Sequence, residues 1–93
     1  MSKPFYIIER TKEVRGSTLR ATRTVDGAVA ELFIDPISMS VRCSRGSEEA
    51  QALAQMFERL YLRYTERNGM SDQCALDKIE AKLHEVNATE KGN

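Results

Sequence analysis

One histidine, two cysteines and no tryptophan occur among the 93 residues, and this shortage removes most catalytic and metal chemistry. A structural zinc site needs four nitrogen or sulfur ligands at short spacings. Cys43, Cys74 and His84 are isolated from one another in the sequence. Two cysteines make no disulfide framework. The five glycines are scattered through turns and the tail, so no phosphate-cradling loop exists. No apolar run approaches the length of a membrane span. The opening MSKPFYIIER lacks the apolar core of an export signal. The expectation is a cytoplasmic chain with reduced thiols, in which the sequon Asn87-Ala88-Thr89 is chance. Glu48 and Glu49 are adjacent carboxylates, but a helix start explains them. Cys43 reads as an inert thiol on a buried face, and Cys74 as a thiol at a helix start with no base nearby. His84 reads as a surface imidazole. No enzyme activity, cofactor or metal is expected.

What is present is an ordinary globular mixture, 41% hydrophobic and 30% charged, with zero formal net charge. The balance hides an asymmetry. Residues 1–46 hold eight Lys/Arg against five Asp/Glu, and residues 47–93 hold six against nine. A single domain over residues 1–93 accommodates this length.

The first half is patterned with period two. FYIIERTKEV (5–14) reads as a first strand, followed by a turn through Gly16. TLRATRTV and AVAELFI flank Asp26-Gly27, a two-residue hairpin signal of the type I′ kind. That turn sets Leu19 against Ile34, Ala21 against Leu32 and Val25 against Ala28 on a core face, with Arg23 facing Ala30 among them. Arg23 therefore either snorkels past Ala30 at the rim or is recessed and awaits an acidic partner. After Asp35-Pro36, ISMSVRCS (37–44) alternates Ile37, Met39, Val41 and Cys43 with polar residues, a fourth strand with one buried face.

The period then changes. Leu53, Met56, Phe57, Leu60, Tyr61 and Tyr64 mark a broad apolar helix face over 47–68, capped by Ser47 and closed by Asn68-Gly69. A second helix is predicted over 71–87, capped by Ser71 and stapled by Met70 onto Ala75. Its stripe of Leu76, Ile79, Leu83 and Val86 is narrow, and partial coverage within one chain predicts a monomer or weak homodimer. Residues 88–93 read as a frayed tail. The fold class is α+β: a four-stranded antiparallel β-meander over 5–44 followed by two α-helices, ββββαα. The first helix packs on one sheet face, and the second lies across the first or an edge.

Arginines supply the candidate surface. Arg20 and Arg42 fall on the outer sheet face beside Thr18, Thr22, Thr24, Ser38 and Ser40. Arg23 joins them if it reaches the rim. Arg59, Arg63 and Arg67 recur every four residues along the first helix. That line is either a solvated face relieved by Glu66 or a contact line for carboxylates and phosphates.

In size, economy and sheet-then-helix plan, the whole chain resembles small phage-encoded accessory proteins, among them the anti-CRISPR proteins that block bacterial surveillance complexes. The resemblance implies a stoichiometric inhibitor that binds a host protein or ribonucleoprotein complex, such as a CRISPR surveillance complex, where guide RNA or target DNA would lie. TLRATRTVDGAVAELFI followed by SRGSEEAQALAQMFERLY also looks like the sheet-then-helix order of integrase arm-binding domains. That likeness implies a sheet laid in the major groove, with Arg20, Thr22, Thr24 and Arg42 toward the DNA. Glu31 and Phe33 on the same face and the zero net charge oppose it. In both readings the protein is a binder and not a catalyst.

Overall fold

The computed structural model describes residues 5–91. Four strands, β1 (Tyr6–Lys12), β2 (Ser17–Arg23), β3 (Val29–Ile34) and β4 (Met39–Cys43), form one antiparallel sheet in chain order. Two helices follow, α1 (Glu48–Leu62), prolonged by a π-turn over Arg63–Arg67, and α2 (Asp72–Lys91). Both helices cover the same sheet face: α1 lies over β3 and β4, and α2 over β1 and β2. The first helix thus packs where its apolar periodicity places it, and α2 shares the face with it.

One core unites the sheet and the two helical segments. Leu19, Ala21, Ala30, Leu32 and Ile34 from the sheet meet Leu53, Ala54, Phe57 and Tyr64 from the first helical segment and Ala75, Leu76, Ile79 and Leu83 from α2. Leu76, Ile79 and Leu83 are fully buried, which corrects the expectation of a half-covered stripe; Val86 alone remains 36% exposed. Residues 88–91 also continue α2 instead of fraying. Ala88 is the strongest helix former and Thr89 donates its hydroxyl back to the Glu85 carbonyl at 2.9 Å. Of the expected tail, residues 92–93 lie outside the described residues, as do 1–4 at the front of the first strand.

The central hairpin differs in register from the expected one. Leu19 pairs with Leu32, Ala21 with Ala30 and Ser17 with Ile34. The Arg23 amide donates to the Ala28 carbonyl, and the Gly27 amide donates to the Arg23 carbonyl. The loop is therefore Thr24 to Gly27, four residues in place of two. A type I′ turn needs positive φ at both central residues, and Asp26 does not adopt it; only Gly27 does, at φ 76°. Asp26 instead accepts from the Ala28 amide at 3.0 Å, holding the wider loop. A shift of two residues preserves which side chains face the core, but it releases Val25, now 71% exposed.

The last hairpin turns earlier than the alternation suggests. Asp35 accepts from the amides of Ile37 at 2.8 Å and Ser38 at 2.6 Å, an Asx-type turn over Pro36-Ile37. Ile37 is consequently 95% exposed and not a core residue. These amide bonds, Ser38 first, hold the Asp35 carboxyl below its ordinary range.

The first turn centres on Val14-Arg15, closed by Glu13 donating to the Gly16 carbonyl at 2.7 Å. Gly16 is needed for close approach and not for a left-handed backbone. A Cβ there would lie 2.1 Å from the Ile34 carbonyl oxygen. Gly16→Ala is expected to cost about 1–3 kcal/mol through forced backbone displacement. A urea unfolding midpoint equal to that of the parent would refute this packing.

Candidate functional site

The outer sheet face, uncovered by either helix, is where a binding surface was expected around Arg20 and Arg42. Antiparallel registers place Glu9 beside Arg20, Arg20 beside Glu31, and Glu31 beside Arg42. The result is a row of alternating charge across all four strands. Arg20 donates from Nε to Glu31 at 2.9 Å and from Nη2 at 2.8 Å, with Glu9 at 4.0 Å on its other side. Arg42 lines a shallow depression with Glu13, Thr18, Glu31, Phe33 and Ser40. The face is internally neutralised, and opposite-charge neighbours at this spacing stabilise the sheet.

Arg23 sits at the rim but not opposite Ala30. It pairs with Tyr6 on β1 and closes the hairpin against Ala28. Its guanidinium lies over the Phe5 ring at 5.3 Å, and Asp26 stands 3.7 Å from Nε. The buried Nε has no hydrogen bond. Arg23 therefore reaches the rim past Phe5 and not past Ala30, a cation over an aromatic ring with Asp26 nearby.

Arg10 belongs to the core-side parity of β1 and reaches α2. It donates to Asp77, to Glu80 at 3.2 Å and to Gln73 at 2.9 Å, and the Asp77 bond raises its guanidinium above the ordinary range. Gln73 in turn donates to the buried Ser17 hydroxyl at 3.2 Å. At the other end of β1, the Asn87 carboxamide accepts from the Tyr6 amide at 2.8 Å and donates to the Tyr6 carbonyl at 3.0 Å. The sequence places Arg10 in a basic cluster with Lys12 and Arg15 but does not show these partners, because residues more than sixty apart leave no local signal. His84 is exposed and lies 3.5 Å from Glu80.

The third arginine set behaves differently. Arg59, Arg63 and Arg67 lie together with Leu62 and Glu66 around a surface depression at the end of α1. Among the described residues, none of the three makes an ion pair or a side-chain hydrogen bond. The Asn68 amide donates to the Arg63 carbonyl at 3.2 Å, a five-residue step that widens the last turn. In an α-helix a residue four on overshoots a full turn; in the wider turn it falls short. Arg63 to Arg67 therefore reverses the drift from Arg59 to Arg63 and keeps the ridge in line. Leu62 is 38% exposed within it. Beneath the ridge, Tyr61 donates to Asp72 at 2.7 Å. Burial first, and that bond second, push its hydroxyl up to about 12.

Both thiols are free, Cys43 half-buried at the sheet edge and Cys74 exposed. Among the described residues no three His, Cys, Asp or Glu side chains converge to hold a metal ion, and no helix is long and apolar enough to cross a membrane. Comparison with protein-family models, curated proteins and solved structures finds no match.

Proposed function

We propose that the protein is a non-enzymatic, cytoplasmic binding module that acts stoichiometrically on a host protein or ribonucleoprotein complex, through the Arg59–Arg63–Arg67 ridge. The observation that carries this reading is the contrast among the arginines. Arg10 and Arg20 are bound to carboxylates of the same chain, Arg23 is engaged with Phe5 and Asp26, and Arg42 stands beside Glu31. Arg15, Arg42 and Arg45 likewise make no ion pair among the described residues, but the ridge sets three such guanidinium groups around one depression. Arginine's planar fork suits bidentate contact with carboxylates. In plan the chain fits the anti-CRISPR type of inhibitor, which needs only shape and charge to occlude a surface.

The sheet-type DNA reading has less support. Its four proposed contact residues share their face with Glu9 and Glu31, which would meet phosphates unfavourably.

Affinity capture from host cytosol, with and without nuclease, tests the proposal. One large protein complex should survive nuclease treatment. Reversing Arg59, Arg63 and Arg67 to Glu should weaken capture by about a hundredfold with the fold intact, because desolvated charge pairs carry several kcal/mol. Glu85→Lys serves as the control. Glu80 does not, because it belongs to the Arg10 network. Unchanged affinity in the triple variant, or recovery of duplex DNA alone with steep salt dependence, defeats the reading.

A further inference from the structure

The sheet has two edges, and they are treated differently. On β1 the outward backbone groups of Tyr6 are held by Asn87, Arg10 is drawn onto α2, and Lys12 stands at the end. Such devices protect an edge from pairing with another chain. On β4 no side chain holds an outward backbone group among the described residues; its charges are Arg42, whose backbone faces β3, and Arg45 beyond the strand's end.

Which β4 groups are free follows from the ladder. The Ser44 amide donates to the Val29 carbonyl at 2.9 Å, and the Asp35 amide donates to the Ser38 carbonyl at 3.0 Å. Hydrogen-bonding direction alternates along an antiparallel strand. Ser38, Ser40, Arg42 and Ser44 therefore face β3, and the amides and carbonyls of Met39, Val41 and Cys43 face outward. Their side chains are half-buried apolar groups packed on the core, so the core itself ends partly open along this edge.

We infer that β4 is a self-pairing edge, at which a second copy of this chain adds antiparallel about a two-fold axis through Val41. This register uses the whole strand. Val41 pairs with its own copy, and Met39 with Cys43 of the other chain, so all the outward amides and carbonyls of β4 find partners. On the core side apolar residues meet apolar residues. On the outer side Arg42 of each chain faces Ser40 of the other, so no like charges oppose one another and the small serine leaves room for the guanidinium.

The helices fit as well. α1 lies over both β3 and β4, so a copy paired along β4 brings its own α1 over its own edge strand, on the same face of the continued sheet and next to this one. An unrelated extended peptide would satisfy the backbone groups but bring no second helix layer, and this favours a second copy as occupant.

The test uses Ser40, an exposed residue outside the arginine ridge whose hydroxyl has no hydrogen-bond partner among the described residues. Sedimentation equilibrium over a concentration series is run on the parent, Ser40→Glu and Ser40→Lys, with circular dichroism as the fold control. The parent should dimerise reversibly. Ser40→Glu sets a carboxylate against Arg42 of the other chain twice per dimer and should tighten the dimer about five- to tenfold. Ser40→Lys should loosen it by a similar factor. Monomeric behaviour of both the parent and Ser40→Glu at the highest concentrations overturns the inference. So does a dimer of equal strength in all three proteins. Neither outcome touches the ridge.

Discussion

Phe57→Ala should produce the largest fall in melting temperature of any single truncation in the core. Phe57 is the largest of the fully buried side chains, and it joins the core shared by the sheet and both helices. The neighbours that would have to collapse into the gap belong to rigid elements, so the cavity would stay largely open. Substitutions of this kind cost about 3–5 kcal/mol. A domain of this length has roughly 5–14 kcal/mol in total, and each kcal/mol moves the midpoint by about 4–8 °C at this size. Thermal melting followed at 222 nm should therefore show a fall of more than about 12 °C. A change of only a few degrees would mean that the sheet and helices do not share one core through this ring.

That core was legible in the sequence for a simple reason. Leu19, Ala21, Leu32 and Ile34 alternate, Leu53, Phe57 and Tyr64 recur at helical spacing, and each period buries one face whatever the fine register. The hairpin shows the limit of such reading. Asp26-Gly27 signals a turn, but the choice between a two- and a four-residue loop rests on whether Asp26 takes positive φ. Only Gly27 does. The two alternatives bury the same faces, so hydrophobic pattern cannot separate them, and Val25 is misplaced as a result. The alternating row Glu9, Arg20, Glu31, Arg42 was discoverable. The four positions are eleven residues apart, the repeat expected when successive hairpins hold equal registers. Recognising it would have removed Arg20 from the free surface at the outset. The arginine ridge was visible as spacing, but the π-turn that straightens it was not. A local widening of the helix leaves no composition signal, and Asn68-Gly69 marks only where the helix ends. The clamp of Asn87 on Tyr6 lay furthest from sight, since it resembles a sequon and bonds to backbone that any residue could supply.

Leu83→Asp separates core from interface on α2. A narrow apolar stripe seen in the sequence alone suggests a dimer seam, and a charge there would yield a folded monomer. Leu83 is instead 1% exposed, with Leu76 and Ile79 buried beside it. The substitution removes about 2–5 kcal/mol of packing and places a carboxylate in the apolar core that Leu83 shares with Leu76 and Ile79, at a further cost of several kcal/mol. The sum rivals the whole stability of the domain, so the expected product is unfolded protein, seen as lost dispersion in the amide proton spectrum. Val86→Asp, one turn along the same stripe but 36% exposed, should fold with a loss of less than about 1.5 kcal/mol. The pH response fixes the cause. Burial raises the pKa of an introduced Asp above its unfolded value of about 3.9. The native state then takes up the proton first, and the penalty shrinks as pH falls through the raised native value toward the unfolded one. Leu83→Asp should thus gain stability relative to Leu83→Asn between neutral pH and about pH 4, because Asn has no proton to gain. A folded Leu83→Asp protein with no such gain would place this residue at a wet surface and return α2 to the role of an interface.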